Sequence, residues 1–318
     1  MAARFRRLGW FVPFAAFVWA CVVPPLTPVR AASSGVHAVV LGIAQDGGVP
    51  HIGCRQQLCI AARRDPRLRR RVACLGLVDE SSGLRFLIDA TPDMPAQLES
   101  LHGGRPWPDP RRPVAGILLT HAHIGHYTGL MYLGREALGA RAVPLYATPR
   151  MARFLRDNGP WAQLVALSQV ELREIEPGRE LALGPYLRVT PLLVPHRDES
   201  SDTVGFRVRG PARSLLYVPD IDKWERWDRK LEDEVSAVDV ALLDGTFFEE
   251  GELPGRSMAE IPHPLVEETI GRLGSLGRAR VLFVHLNHTN RLLWDAAARR
   301  RLAVRGFAVA GEGQELPL

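Results

Sequence analysis

Beyond residue 31 the sequence has no apolar run long enough to span a bilayer, so the body of the chain is not expected to insert stably in a membrane. It has no internal repeat and no long linker, which argues against a repeat array or separate domains. Hydrophobic residues make up 46% and charged residues 24% of the 318 positions, a balance that excludes a disordered or fibrous chain. A sustained basic patch is also missing. The formal net charge of +5 falls to +1 once the four arginines of residues 1–31 are set aside. The one basic run, "RRDPRLRRR" at 63–71, reads as a solvated loop or helix face, and no nucleic-acid partner is expected. Cysteine is scarce, at four residues. Beyond Cys21 in the N-terminal stretch stand Cys54, Cys59 and Cys74. In an exported chain two of these can pair. Cys54 and Cys59, spaced C-x4-C, can instead join His51 in a structural metal site. With so few ligands, a disulfide or free thiols is the preferred reading.

What is present begins with an export signal. Arg4, Arg6 and Arg7 precede an apolar stretch from Leu8 to Val23 and then small residues, with a cut expected after Ala31. The expected organisation is a signal peptide over 1–31 and one domain over 32–318, exported to the periplasm. Within that domain short apolar runs alternate with helical patterns. "VHAVVLGIA" (36–44), "RVACLGLVD", "LRFLIDA", "VAGILLT" and "AVPLYAT" read as strands. "TPDMPAQLESL", with Thr91 as N-cap and Pro92 at the first helical position, reads as a helix, as do "YTGLMYLGREALG" and "PRMARFLRDN". The second half repeats the style. Strands are expected at "YLRVTPLLVPH" (186–196), "TVGFRVRG" (203–210), "RSLLYVPD" (213–220), "VDVALLDG" and "ARVLFVHLNH". Helices are expected at "WERWDRKLEDEV" and "PHPLVEETIGRLGSL". Two such halves predict two sheets packed face to face with helices outside.

The chemistry concentrates where strands end. "THAHIGH" carries His121, His123 and His126, and His196, Asp220 and His285 each stand at or just past the end of an apolar strand. Ligand sites in layered α/β folds form along such edges. Four polar residues placed alike, one with two more histidines beside it, point to a metal centre. His121 and His123 alternate along an extended loop and can face one ion, while His126 can reach a second position. Imidazole suits zinc, iron and manganese alike.

This pattern resembles the metallo-β-lactamase superfamily, whose signature H-x-H-x-D-H is followed by distant His, Asp and His. The runs "GIAQDGGVPHIGC", "FLIDATPDMPAQL", "THAHIGHYTGLMYLGREALG", "PHRDESSDTVGF", "YVPDIDKWERW", "ALLDGTFF", "IPHPLVEE" and "FVHLNHTN" are similar to the pyrroloquinoline quinone (PQQ) biosynthesis protein B family. The resemblance implies an α/β fold, a four-layer αβ/βα sandwich with its metal site on the shared edge of the two sheets. It implies a first metal position made of His121, His123 and His196, with Asp220 bridging. A second position would use His126, His285 and Asp220, plus a carboxylate that Gly125 cannot supply. It makes Asp89 a buried aspartate that supports the histidine loop, and His263 a candidate for proton transfer.

Two dications bring about +4 of charge, and with Asp220 as the only carboxylate the second would be poorly compensated. One tightly bound Zn2+ is therefore expected, with the second ion weak or absent; Fe2+ or Mn2+ are alternatives. The expected activity is hydrolysis of a small ester, lactone, amide or phosphodiester through a metal-bound hydroxide, with Asp220 or His263 managing protons. Two rivals stand beside it: an iron-dependent oxygenase in quinone cofactor synthesis, and an exported non-catalytic quinone carrier. Phe247, Phe248 and Trp294 are candidate pocket-lining aromatics.

Overall fold

The computed structural model describes residues 35–318 except 254, 256, 258, 259, 275 and 276. The export signal read over 1–31 lies outside the described residues. Among these, no helix is long and apolar enough to cross a membrane.

In chain order the first half contains β1 (Val36–Gly42), α1 (Gln57–Arg64), β2 (Cys74–Asp79), β3 (Leu84–Ile88), α2 (Met94–His102), β4 (Gly116–Leu118) and α3 (Ile124–Tyr127). It continues with β5 (Val143–Ala147), α4 (Pro149–Asp157), α5 (Trp161–Ala166) and β6 (Val170–Glu174). The second half contains β7 (Leu181–Ala182), β8 (Arg188–Leu193), β9 (Val204–Arg209), β10 (Ser214–Val218), α6 (Leu231–Ser236) and β11 (Val240–Asp244). It ends with α7 (Val266–Leu273), β12 (Arg280–Val284), α8 (Ala296–Val304), β13 (Ala308–Val309) and β14 (Glu315–Pro317). The strands form two seven-stranded mixed sheets, β14-β1-β2-β3-β4-β5-β6 and β13-β12-β11-β10-β9-β8-β7. This is the αβ/βα sandwich of the metallo-β-lactamase fold.

Side-chain alternation explains the layering. In β3, Phe86 and Ile88 join the large core between the sheets, while Leu87 faces the cluster that includes Met94, Leu98 and Leu101 of α2. β2 divides likewise: Leu75 and Leu77 face one way, Cys74 and Val78 the other. A period of two is what a strand buried on both faces requires. Each such Leu, Ile or Phe stabilises the fold by roughly 1.5–3 kcal/mol on burial. On the far side α7 and α8 seal the second sheet with Val266, Ile270, Ala298 and Leu302.

Strand direction then fixes the site. β1 and β3 both run antiparallel to β2, and β4 runs parallel to β3. In the other sheet β8 and β10 run antiparallel to β9, while β11 and β12 run parallel to β10. So β1, β3 and β4 end at one edge of their sheet, and β8, β10, β11 and β12 at one edge of theirs. A backbone seam joins the two edges. Leu286 N donates to Ile43 O at 2.8 Å, and Gln45 N donates to Leu286 O at 2.9 Å.

Several elements differ from their sequence-based expectation. "YTGLMYLGREALG" forms a 3-10 helix over Thr128–Leu133 rather than an α-helix. Gly129 lies against the backbone of Ala90 and Thr91, where a Cβ would sit 2.0 Å from Thr91 O. "WERWDRKLEDEV" breaks in two, because Trp224 and Trp227 point inward and donate to Thr269 Oγ1 and Leu193 O. Thr91 and Pro92 form a turn ahead of α2, with Asp93 as its N-cap. The basic run is largely spent locally: Arg70 Nη1 donates to the carbonyls of Arg67 and Arg69.

Candidate metal centre

His121, His123, His126, His196, His263 and His285 all come to the shared edge. Five of them follow one rule: one ring nitrogen is anchored by an oxygen, and the other faces a common space. Thr120 Oγ1 contacts the Asp89 carboxylate at 2.9 and 3.0 Å and His121 Nδ1 at 2.9 Å. The hydroxyl donates to the carboxylate and accepts from the imidazole, so His121 Nε2 is left with its lone pair. His126 Nδ1 donates to Asp89 Oδ2 at 2.8 Å. His196 Nδ1 donates to Asp222 Oδ1 at 3.1 Å, and His285 Nδ1 to Thr246 Oγ1 at 2.9 Å. His123 is turned the other way, with Nε2 on Glu199 Oε2 at 3.1 Å.

The free nitrogens converge. His123 Nδ1 lies 2.9 Å from His121 Nε2 and 3.2 Å from His196 Nε2. Asp220 meets the same space, its Oδ1 3.3 Å from His196 Nε2 and its Oδ2 3.4 Å from His121 Nε2. Asp220 Oδ2 also stands 3.8 Å from both His126 Nε2 and His285 Nε2. Lone pairs this close repel unless a proton or cation lies among them. The atoms His126 Nε2, His285 Nε2, Asp220 Oδ1 and Asp46 Oδ1 are all buried without a hydrogen-bond partner. Imidazole and carboxylate donors in this arrangement fit one or more divalent cations.

Electrostatics agree. Burial disfavours charge on His196, yet Asp220 and Asp222 push its pKa up to about 10. Burial likewise opposes charge on His126, and Asp89 with Asp46 raises it well above the ordinary value. His121 is held well below it by burial and by His126. The carboxylates at this edge favour the charged forms of His126 and His196 despite burial, and a dication held there would take the place of those protons.

Backbone strain marks the same residues. Asp89 and His285 have φ of 73° and 62°. Non-glycine residues adopt this region at a cost, and such strain clusters at functional sites. Asp89 is the buried support beneath the histidine loop, with Thr120 N also donating to its Oδ1 at 2.8 Å.

His263 lies at this edge, its Nδ1 2.9 Å from Asp244 Oδ2 and 3.3 Å from Asp220 Oδ1. Asp244 and Thr246 were not singled out from the sequence. Nor was Asp46, whose carboxylate reaches 3.3 Å from His126 Nε2 and 3.8 Å from His285 Nε2. The premise that Asp220 is the only carboxylate is therefore corrected. The signal for Asp46 was available, since it stands just past the end of β1 as the others stand past theirs.

Phe247 and Phe248 are buried, with the Phe247 ring 6.0 Å from that of His263. Trp294 is exposed and lines a separate cleft with Leu58, Leu68 and Thr289. Among the described residues Cys54, Cys59 and Cys74 are free thiols. Cys54 Sγ lies 3.4 Å from His288 Nδ1, and Cys54, Cys59 and His288 form a second group able to hold an ion. His51, the third ligand considered from sequence, instead stacks on the His288 ring at 4.4 Å.

The chain belongs to the β-lactamase superfamily, whose domain model matches residues 84–286. Within that class it is similar to coenzyme PQQ synthesis protein B. It shares 29% identity with that protein of Methylorubrum extorquens strain PA1 and 30% with that of Methylobacterium sp. strain 4-46. Each match covers 89% of this chain and all of the relative. The crystal structure of Zn2+-bound PqqB from Methylobacterium extorquens superposes with a TM-score of 0.76 at 27% identity, over 89% of this chain and all of that one. A diphosphatase of the PhnP family shares the fold, with a TM-score of 0.62 at 23% identity over 89% of this chain and 98% of its own.

Proposed function

We propose that the chain is a metal-dependent hydrolase acting on a small ester, lactone, amide or phosphodiester. The observation that carries this is the convergence of His121 Nε2, His123 Nδ1, His196 Nε2 and Asp220 on one space. A dication held there supplies Lewis acidity toward a carbonyl or phosphoryl oxygen and lowers the pKa of water. The protein's own part is orientation and proton handling. Thr120 and Asp222 hold His121 and His196 in one tautomer each, with the ligating nitrogen aimed at the ion. Asp220, buried between the two groups of histidines, is a carboxylate that would accept a proton there. Asp244 engages His263 Nδ1, so Nε2 is the atom of that ring left to give a proton to a leaving group. Burial disfavours charge on His263, while Asp244 and Asp220 raise its pKa above the ordinary value. Similarity to coenzyme PQQ synthesis protein B over most of the chain supports a substrate connected with quinone cofactor synthesis. The signal read over residues 1–31 supports work in the periplasm, which cell fractionation checks.

The test is turnover of chromogenic esters, lactones, amides and phosphodiesters by protein reloaded with Zn2+, Mn2+ or Fe2+. Hydrolysis should appear with metal and vanish in a folded His121→Ala variant. Fe2+-dependent oxygen uptake without hydrolysis would replace this reading with the oxygenase, and ligand binding without turnover would replace it with the carrier.

A further inference from the structure

We propose that Asp46 is the carboxylate ligand of a second metal position, completed by His126, His285 and Asp220, and that Gly125 is glycine because Asp46 occupies its side-chain space. The superfamily signature puts an aspartate between the second and third histidines of its motif, and this chain has Gly125 there. The chain delivers a carboxylate to that space from elsewhere. A Cβ built on Gly125 would lie 2.1 Å from Asp46 Oδ1, 2.8 Å from its Cγ and 2.7 Å from its Cα. A side chain at 125 and the carboxylate of Asp46 therefore exclude each other. Gly125 is needed for space, not for backbone freedom, since its φ is not in the left-handed region.

The geometry of Asp46 is that of a ligand, not of a surface acid. Its Oδ1 is buried without a hydrogen-bond partner, 3.3 Å from His126 Nε2 and 3.8 Å from His285 Nε2. Both of those nitrogens are unpartnered, on rings that are wholly buried. Asp220 Oδ2 stands 3.8 Å from each of them. Three unpartnered atoms on three chain segments thus face one space, with the bridging carboxylate on its other side. The delivery is structural. The seam between Ile43, Gln45 and Leu286 fixes the backbone on either side, so Asp46 follows directly after a residue paired beside His285. Asp46 also lies outside the span 84–286 that matches the superfamily domain, so the relocated ligand comes from a part of the chain that this match does not reach. With Asp46 in place, two carboxylates instead of one compensate a pair of dications, which removes the charge argument for a weak second ion.

The inference concerns metal binding alone and does not depend on which reaction is catalysed. Its test is cobalt(II) titration of metal-stripped protein with a count of bound ions. Thiolate-bound cobalt absorbs intensely in the near ultraviolet, so any ion at Cys54 and Cys59 is counted separately. Wild type should take up two ions outside the thiol cluster. Asp46→Asn, which keeps the side chain's size, should keep the first ion and weaken the second by about 100-fold or more, at or beyond the upper end of what losing an outer ligand partner does. Gly125→Ala should weaken the second ion too, by displacing Asp46. If Gly125→Ala fails to fold, as its melting curve would reveal, Asp46→Asn decides alone. One ion in the wild type, two ions of unchanged affinity in Asp46→Asn, or selective loss of the first ion would each overturn the assignment.

Discussion

Asp244 stands to His285 in the second sheet as Asp89 stands to His121 in the first. Each aspartate is fully buried at the end of a core strand. Each accepts from a threonine hydroxyl, Thr120 or Thr246, and that hydroxyl accepts from a histidine Nδ1 at 2.9 Å. Each carboxylate also takes a second histidine, His126 for Asp89 and His263 for Asp244. The two halves share no sequence repeat, so the likeness is one of chemistry: an imidazole that ligates a metal needs its far nitrogen fixed.

Asp89→Asn and Asp244→Asn should therefore act alike. Each keeps the shape but removes an acceptor that fixes a ring's tautomer. Metal retention should weaken by roughly 10–100-fold in both, measured by competition with a chromogenic chelator. An unchanged affinity in either would remove that aspartate from the support of the site.

Stripping metal should destabilise the fold. Ligands that bind only the native state stabilise it by about 4 kcal/mol when present at 1,000 times Kd. The melting temperature should drop after chelator dialysis and return when zinc is added back. A melting curve indifferent to metal would mean that no ion binds the native state in preference to the unfolded one.

Glu252 should make one loop sensitive to pH. Burial raises its carboxyl to about 7, although Thr289 Oγ1 and Phe248 N donate to it. A raised carboxyl pKa contributes stability that is complete below the ordinary value of 4.5 and is lost as pH rises through about 7. Backbone amides around Phe248 and Thr289 should exchange faster at pH 8 than at pH 5, after correction for intrinsic rates. Glu252→Gln should flatten that difference, and an equal slope in wild type and variant would refute the assignment.

Gly129→Ala should destabilise the chain by roughly 1–3 kcal/mol, the range for overpacking. The new methyl would meet Thr91 O at 2.0 Å, and that backbone leads from Asp89 into α2. Denaturant unfolding measures the loss, and a change below about 0.5 kcal/mol, the usual scatter of surface substitutions, would show that the strand end gives way freely.

The sequence made the histidines legible because each follows an apolar run, and a strand end is a local feature. The layers were legible for the same reason: alternation in β2 and β3 is written residue by residue. Asp46 was not. Its role depends on pairing with Leu286, on the far side of the chain, and on a gap at Gly125 that only the folded backbone reveals. The break in "WERWDRKLEDEV" was hidden likewise, because the apolar spacing of a helix says nothing of where an indole N–H finds its acceptor.

The seam between Gln45 and Leu286 also sets an order of completion. His121, His123, His196 and Asp220 all lie between residues 121 and 220, so a growing chain holds every ligand of the first position while its last strands are unmade. The second position waits for His285, which must arrive and dock beside a segment made near the start. Its Asp46–His285 corner thus closes only when both ends of the fold have met.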